Sequence, residues 1–277
     1  MVVITGASSG IGQAAAQAMA SRGARLVLAA RGERALEQVR ADCTARGAEA
    51  IAVPTDVSEE PAVQALARSA VERFGRIDVW VNNAGVILYG HFEDAPAEAF
   101  RRVLETNLFG QVHGTRAALA QFRRQGAGVL INMSSVWGRV TSPYVSAYVT
   151  SKFAVRAFSE CVRQELADDP DIHVVTIMPQ AVDTPIFRRA ANFSGREVKQ
   201  LPFAREPEDI ARRIVACAED PKREVTDRRF GRMLEFAVGI APPIWSRLAP
   251  RVFGRLALGK RPAPNGYGNL VEPTHGS

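Results

Sequence analysis

Thr5-Gly6-Ala7-Ser8-Ser9-Gly10-Ile11-Gly12 follows a short β-branched run, Val2–Thr5, and opens an alanine-rich helical pattern over Ile11–Arg22. Glycine alone lets a backbone turn this tightly, approach a ligand closely and pack a helix against the strand before it. The helix that starts here presents unpaired N–H groups and its positive dipole end, a natural seat for phosphate. A glycine-rich turn by itself also describes a flexible loop. Its place after a first strand favours a dinucleotide site.

The rest of the chain repeats this strand–helix alternation. Arg25–Ala30, Ala50–Pro54, Asp78–Asn82, Gly128–Ser134 and Ile172–Met178 are short apolar runs without polar alternation, as expected of strands buried on both faces. Between them Glu33–Arg46, Glu59–Phe74, Ala97–Gln125 and Ser146–Ala167 have helical periodicity, and several end near Gly23, Gly47, Gly75 and Gly126. The pattern predicts an α/β fold, a doubly wound parallel sheet of Rossmann type. Residues 179–206 read as a long loop with a short helix at most, and Pro207–Asp220 as a helix with proline in its first turn. The expected organisation is one domain over 1–227 and a C-terminal extension over 228–277, irregular from Pro262 onward.

Composition fits one globular domain: 277 residues, 47% hydrophobic and 23% charged. Disorder, collagen-like repeats and a disulfide scaffold are excluded. Cys43, Cys161 and Cys217 lie far apart with no metal-ligand spacing, so neither disulfides nor a metal site is expected. No basic segment precedes an apolar one at the N-terminus, and a cytoplasmic location is expected. The net charge of +6 is local: residues 1–221 carry 25 basic and 25 acidic side chains, 222–261 carry 10 and 3, and 262–277 carry 0 and 1. A neutral main domain without a recognition motif argues against nucleic acid as a partner.

Further motifs follow in order: Asp56-Val57, Asn82-Asn83-Ala84-Gly85, Asn107, Ser135, Tyr148-x3-Lys152, and Pro179 with Thr184. With the spacing Gly6-x3-Gly10-x-Gly12, this set resembles the classical short-chain dehydrogenase/reductase (SDR) family over residues 2–184. The resemblance implies an NAD(P)-dependent enzyme interconverting carbonyl and alcohol groups. It assigns the pyrophosphate to Gly6, Ser8, Ser9, Gly10, Ile11 and Gly12, the adenine edge to Asp56 and Val57, and the adenosine wall to Asn83, Ala84 and Gly85. It assigns the nicotinamide end to Pro179 and Thr184, and a homodimer or homotetramer through the helices at 97–125 and 146–167. Gln180 departs from the family pattern, which has glycine after the proline.

Strand two ends Ala30-Arg31-Gly32, with no acidic residue to receive ribose hydroxyls before Glu33. Arg31 offers a fork suited to a 2′-phosphate, so NADP(H) is expected over NAD(H), the alternative being a solvated turn residue. Tyr148 and Lys152, four apart on one helix face, place an ammonium near a phenol. A free phenol, with a pKa of about 10, is a poor base at neutral pH, and Lys152 together with the positive oxidised nicotinamide is expected to lower it. Ser135 is expected to polarise the substrate oxygen rather than Ser134, which in strand geometry faces the other way. Asn107 either positions a water beside Lys152, as the resemblance implies, or marks a helix kink or cap.

The pocket is expected from the loops at 86–92, 136–144 and 180–203, with Ile87, Leu88, Tyr89, Trp137, Val140, Tyr144, Ile186, Phe187 and Phe193 as an apolar wall. That suggests a small hydrophobic carbonyl or alcohol substrate. An isomerase or dehydratase on the same scaffold, or a catalytically silent nucleotide-binding protein, are the alternatives. From Trp245 onward Leu248, Val252 and Leu256 recur every four residues beside Arg247, Arg251 and Arg255, a basic amphipathic helix. It either covers the cleft or a partner subunit, or makes a peripheral membrane contact through residues 245–261.

Overall fold

Seven strands pair in parallel in the order β10-β7-β6-β4-β1-β2-β3 in the computed structural model, which describes residues 1–202, 204–226 and 242–272. They are β1 (Val2–Thr5), β2 (Leu26–Ala30), β3 (Ala50–Pro54), β4 (Val79–Asn82), β6 (Gly128–Met133), β7 (Ile172–Met178) and β10 (Glu224–Thr226). Successive side chains of β1 serve opposite cores. Val2 and Ile4 pack with α1 (Gly10–Ala20), α2 (Glu33–Ala45) and α7 (Pro207–Glu219); Val3 packs with α3 (Glu60–Phe74), α5 (Gly110–Gln125) and α6 (Ser146–Glu165). Both faces are covered, which is why the strands read as unbroken apolar runs. Strand order reverses between β1 and β4, the point where ligands bind in doubly wound sheets.

The stretch 97–125, expected as one helix, is three segments: α4 (Ala97–Leu104), a π-helical turn (Glu105–Phe109) and α5. The π turn centres on Asn107. The loop expected over 179–206 carries two short strands. β8 (Ala191–Asn192) pairs with β5 (Leu88–Tyr89), and β9 (Arg196–Val198) pairs with β11 (Leu258–Pro262). The amphipathic segment forms α8 (Pro242–Ala257), and residues 263–272 after β11 are tied down rather than loose. Gly266 bridges Asn192, and Leu270 is fully buried. Phe203, Asp227 and, of the expected extension, residues 228–241 and 273–277 lie outside the described residues. Among the described residues no helix is long and apolar enough to cross a membrane.

A buried polar chain locks the sheet to the helices behind the site. Asn82 accepts from the Trp80 indole at 2.8 Å and donates to Asn132 at 2.9 Å, and Asn132 donates to Ser159 at 2.9 Å. Gly114 on α5 makes room for it: a Cβ there would sit 2.0 Å from Asn82 Oδ1. In a free helix Gly→Ala would stabilise by about 1 kcal/mol. Here Gly114→Ala should instead destabilise by about 2–4 kcal/mol, through overpacking and unpaired buried polar groups, read as a lowered denaturation midpoint.

Candidate active site

The glycine turn is built against the ends of β1 and β4. Gly6 and Gly10 adopt φ values of +64° and +56°. A Cβ on Gly6 would lie 2.8 Å from Ala84 Cα, and one on Gly12 would lie 2.2 Å from the Gly6 carbonyl oxygen. Asn83 Nδ2 donates to the Thr5 and Gly6 carbonyls at 3.0 and 3.2 Å. Thr5 Oγ1 accepts from the Asn83 and Ala84 amides at 3.0 and 3.2 Å. The α1 N-terminus has no side-chain cap and no acidic residue in its first turn. Its N–H groups therefore face the cleft beside Ser8, Ser9, Gly10 and Ile11. Gly12 lies behind that surface.

At the other end of the turn, Asp56 Oδ1 accepts from the Ser58 amide and hydroxyl, and Oδ2 accepts from Arg102 Nη2 at 2.6 Å. These hydrogen bonds, with Arg102 and Arg31 nearby, hold the Asp56 carboxyl below its ordinary range against the opposing effect of burial. Arg31 is not a solvated turn residue. Its Nη1 donates to the Leu270 and Val271 carbonyls at 3.1 Å each, and its Nη2 to the Asn269 carbonyl. Neither Arg102 nor this tail was singled out from the sequence. Arg102 sits in an arginine pair without motif spacing, and the tail meets Arg31 across some 240 residues.

Tyr148 and Lys152 lie on α6, with Lys152 Nζ 5.3 Å from the Tyr148 ring centroid and donating to the Met133 carbonyl at 2.9 Å. Lys152 is 3% exposed, and burial lowers its ammonium to about 8. Burial also pushes the Tyr148 phenol up to about 12, outweighing the hydrogen bond with Ser135. The chain alone thus holds this tyrosine protonated, and Lys152 does not offset the burial. Ser134 Oγ donates to the Lys152 carbonyl at 2.9 Å, while Ser135 is the serine hydrogen-bonded to the phenol. Trp137 packs edge-on against Tyr148, with ring centroids 5.7 Å apart.

Asn107 is fully buried, one layer behind the cleft wall. Its Oδ1 accepts from the Val86 amide at 2.8 Å, and its Nδ2 donates to the Val86 carbonyl and Ser151 Oγ at 2.9 and 3.1 Å. Ser151 Oγ in turn donates to the Tyr148 carbonyl at 2.7 Å. Asn107 therefore ties the strand-four loop to the helix that carries Tyr148.

One cavity of about 790 Å³ joins these parts. It runs from Arg31, Asp56 and Val57 past Asn83, Ala84 and Gly85 to Ser135, Tyr148, Lys152, Pro179 and Thr184. Its far end is apolar: Ile87, Trp137, Val140, Ile186 and Phe187, with Trp245, Val252, Phe253 and Leu256 of α8. Leu88, Tyr89 and Phe193, expected as wall residues, are instead core side chains. They sit in or beside the β5·β8 pair, which the sequence did not reveal. Tyr144 is also off the wall. It adopts φ +65° and packs on His91 and Gly254. Gln180 needs no positive φ and faces the cavity, so the glycine replaced here was not required by the backbone. His113 is structural, its Nδ1 3.0 Å from the Val57 carbonyl. Among the described residues no cluster could hold a metal ion. A cradle that admits no Cβ, free helix N–H groups and a long cleft fit a dinucleotide.

The short chain dehydrogenase family profile matches residues 1–194. The chain is 35% identical over 266 residues to uncharacterized oxidoreductase YxnA of Bacillus subtilis, covering 95% of this chain and 75% of that one. It is 34% identical over 235 residues to dehydrogenase/reductase SDR family member 7B of Bos taurus, covering 81% and 72%. The structure of an alcohol dehydrogenase from the archaeon Thermococcus sibiricus, complexed with 5-hydroxy-NADP, superposes with a TM-score of 0.70 at 31% identity, covering 81% of this chain and 94% of that one. The chain belongs to the short-chain dehydrogenase/reductase family and is an NAD(P)-dependent oxidoreductase by descent.

Asn107→Ala would leave both Val86 backbone groups unpaired in a buried site. It should cost about 2–4 kcal/mol of stability and speed hydrogen exchange at the Val86 amide, measured by denaturant titration and exchange mass spectrometry.

Proposed function

We propose that this protein is an NADP(H)-dependent carbonyl reductase or alcohol dehydrogenase for a small hydrophobic ketone, aldehyde or alcohol. The observation that carries the reading is the continuous cavity joining an anion-ready glycine turn, the Ser135–Tyr148–Lys152 cluster and an apolar far wall. Gly6, Ser8, Ser9, Gly10 and Ile11 would hold the pyrophosphate with Gly12 packed behind them, Asp56, Val57, Asn83, Ala84 and Gly85 the adenosine, and Pro179 and Thr184 the nicotinamide. When bound, the nicotinamide supplies or accepts the hydride. Tyr148, protonated through neutral pH, gives its proton to the carbonyl oxygen, while Ser135 hydrogen-bonds the same oxygen. Lys152 stabilises the phenolate left behind, and Asn107 acts as a positioning residue. Arg31 favours NADP(H), in keeping with the NADP analogue in the archaeal relative's structure.

A panel of hydrophobic ketones and aldehydes tests this. NADPH should be oxidised with kcat/KM above that for NADH, and Ala30→Asp with Arg31→Ser should reverse the ratio. Equal kcat/KM with both cofactors in the unaltered chain overturns the preference. NADPH binding without turnover of any carbonyl would favour a catalytically silent nucleotide-binding protein, and conversion without cofactor oxidation an isomerase or dehydratase.

The pH profile follows from Lys152. Its charged form is present below about 8 and lost as pH rises through that value. Reductive kcat/KM should stay level at neutral pH and fall above about 8. Tyr148→Phe should lose at least about a thousandfold at every pH. A profile level to pH 10 removes Lys152 from this role.

The inner side of α8 lines the cavity, which supports the cover reading of this helix. Ile244 and Leu248 remain 60% and 47% exposed on its outer side, beside exposed Arg247, Arg251 and Arg255, while Val252 and Leu256 are part-exposed and also line the cavity. That outer stripe supports a cytoplasmic protein that touches an anionic lipid surface with α8. Phe109 and Phe153, exposed on the π turn and α6, support a homodimer or homotetramer through those helices. Full-length protein should co-sediment with phosphatidylserine vesicles, weakly with phosphatidylcholine ones, and less as salt rises; Leu248→Glu should abolish it. If Leu248→Glu changes only the molecular mass, α8 is a subunit contact instead.

A further inference from the structure

The guanidinium that suits a 2′-phosphate is already held by the chain's own C-terminal segment. Arg31 Nη1 donates to the Leu270 and Val271 carbonyls at 3.1 Å, Nη2 donates to the Asn269 carbonyl, and Arg102 Nε donates to the Leu270 carbonyl at 3.1 Å. Three carbonyl oxygens therefore converge on Arg31. A phosphate placed there would meet their negative ends as well as the cation. A ribose 2′-hydroxyl carries no charge and has no such conflict. We infer that Asn269–Val271 form a strap that competes with the 2′-phosphate of NADP(H) for Arg31, so that NADP(H) displaces it and NAD(H) does not. This rests on the cofactor reading above.

The strap is anchored from the substrate side. The Leu270 side chain is fully buried beside Val86, Ala99 and Phe193. The Asn269 amide donates to the Arg189 carbonyl at 2.9 Å, the Leu270 amide to the Tyr267 carbonyl at 3.0 Å, and Tyr267 Oη to Glu98 at 2.7 Å. Arg189 follows closely on Ile186 and Phe187 of the cavity wall. Asn269 Oδ1 is buried without a hydrogen-bond partner, so the docked strap leaves one polar group unsatisfied. Release at the adenosine end would therefore also free the loop at the substrate end. Linkage requires reciprocity: the strap weakens 2′-phosphate binding by the factor with which the phosphate weakens the strap.

Adenosine 2′,5′-bisphosphate and 5′-AMP isolate that phosphate without turnover. Hydrogen exchange is followed at the Asn269 and Leu270 amides of the full chain. The bisphosphate should speed exchange there by about tenfold, within the usual range for coupled sites, and saturating 5′-AMP should not. Calorimetry on full-length Leu270→Ala, which loosens the anchor without touching Arg31, should give about tenfold tighter bisphosphate binding and unchanged 5′-AMP binding. If the bisphosphate binds the full chain more tightly than 5′-AMP while both amides stay protected, the strap is wrong and the NADP(H) reading stands. If the bisphosphate binds no better than 5′-AMP to the full chain and to Leu270→Ala, the NADP(H) reading fails and the strap falls with it. Should Leu270→Ala not fold, the exchange measurement on the unaltered chain decides alone.

Discussion

The close approach of the Gly6 turn to the end of β4 sets the geometry of everything else. Any Cβ at Gly6 or Gly12 would overlap backbone atoms, so the first helix can start only where glycine lets it. Thr5 and Asn83 then clasp the two strand ends with four hydrogen bonds, fixing the crevice where strand order reverses. The clasp satisfies backbone groups that two diverging strands would otherwise leave unpaired, and it leaves the α1 N–H groups pointing outward. The exposed helix N-terminus is a by-product of how the sheet is closed at that point.

Burial drives the electrostatics of the chemical end. Tyr148 and Lys152 move in opposite directions, each toward its neutral form, because each charged form loses hydration. The ammonium spends a hydrogen bond on Met133 and meets the phenol through its ring. Desolvation therefore outweighs pairing here, and a proton on Tyr148 is the resting condition. That condition suits proton donation to a carbonyl. The reverse direction needs more stabilisation of the phenolate than Lys152 gives from beside the ring.

Local chemistry was legible in the sequence and distant contacts were not. The Gly6–Gly12 spacing, the apolar strand runs and the i,i+4 pair Tyr148–Lys152 each carry their geometry within a few residues; strand alternation says that only one of Ser134 and Ser135 can serve, and spacing favours Ser135. Asn107 was visible as an indifferent helix residue, yet nothing in its neighbours specifies a π turn, which depends on Val86 and Ser151 far along the chain. Leu88, Tyr89 and Phe193 looked like cleft residues because they sit in loops. A two-residue strand pair has too short a period to announce itself, and it buried them. The partners of Arg31 lie at the opposite end of the chain, beyond any pattern argument.

Part of the excess positive charge, confined to residues 222–261, lies on α8 as Arg247, Arg251 and Arg255. α8 must present one apolar side to the cavity, where Trp245, Ala249 and Phe253 recur every four residues. A helix serving only as a cover would turn polar residues outward everywhere else. This one adds a second apolar row, Ile244, Leu248, Val252 and Leu256, beside the first, and its last two members reach the cavity mouth. The apolar surface is therefore continuous from the outside of the helix to the inside of the pocket, with the arginine row along its edge.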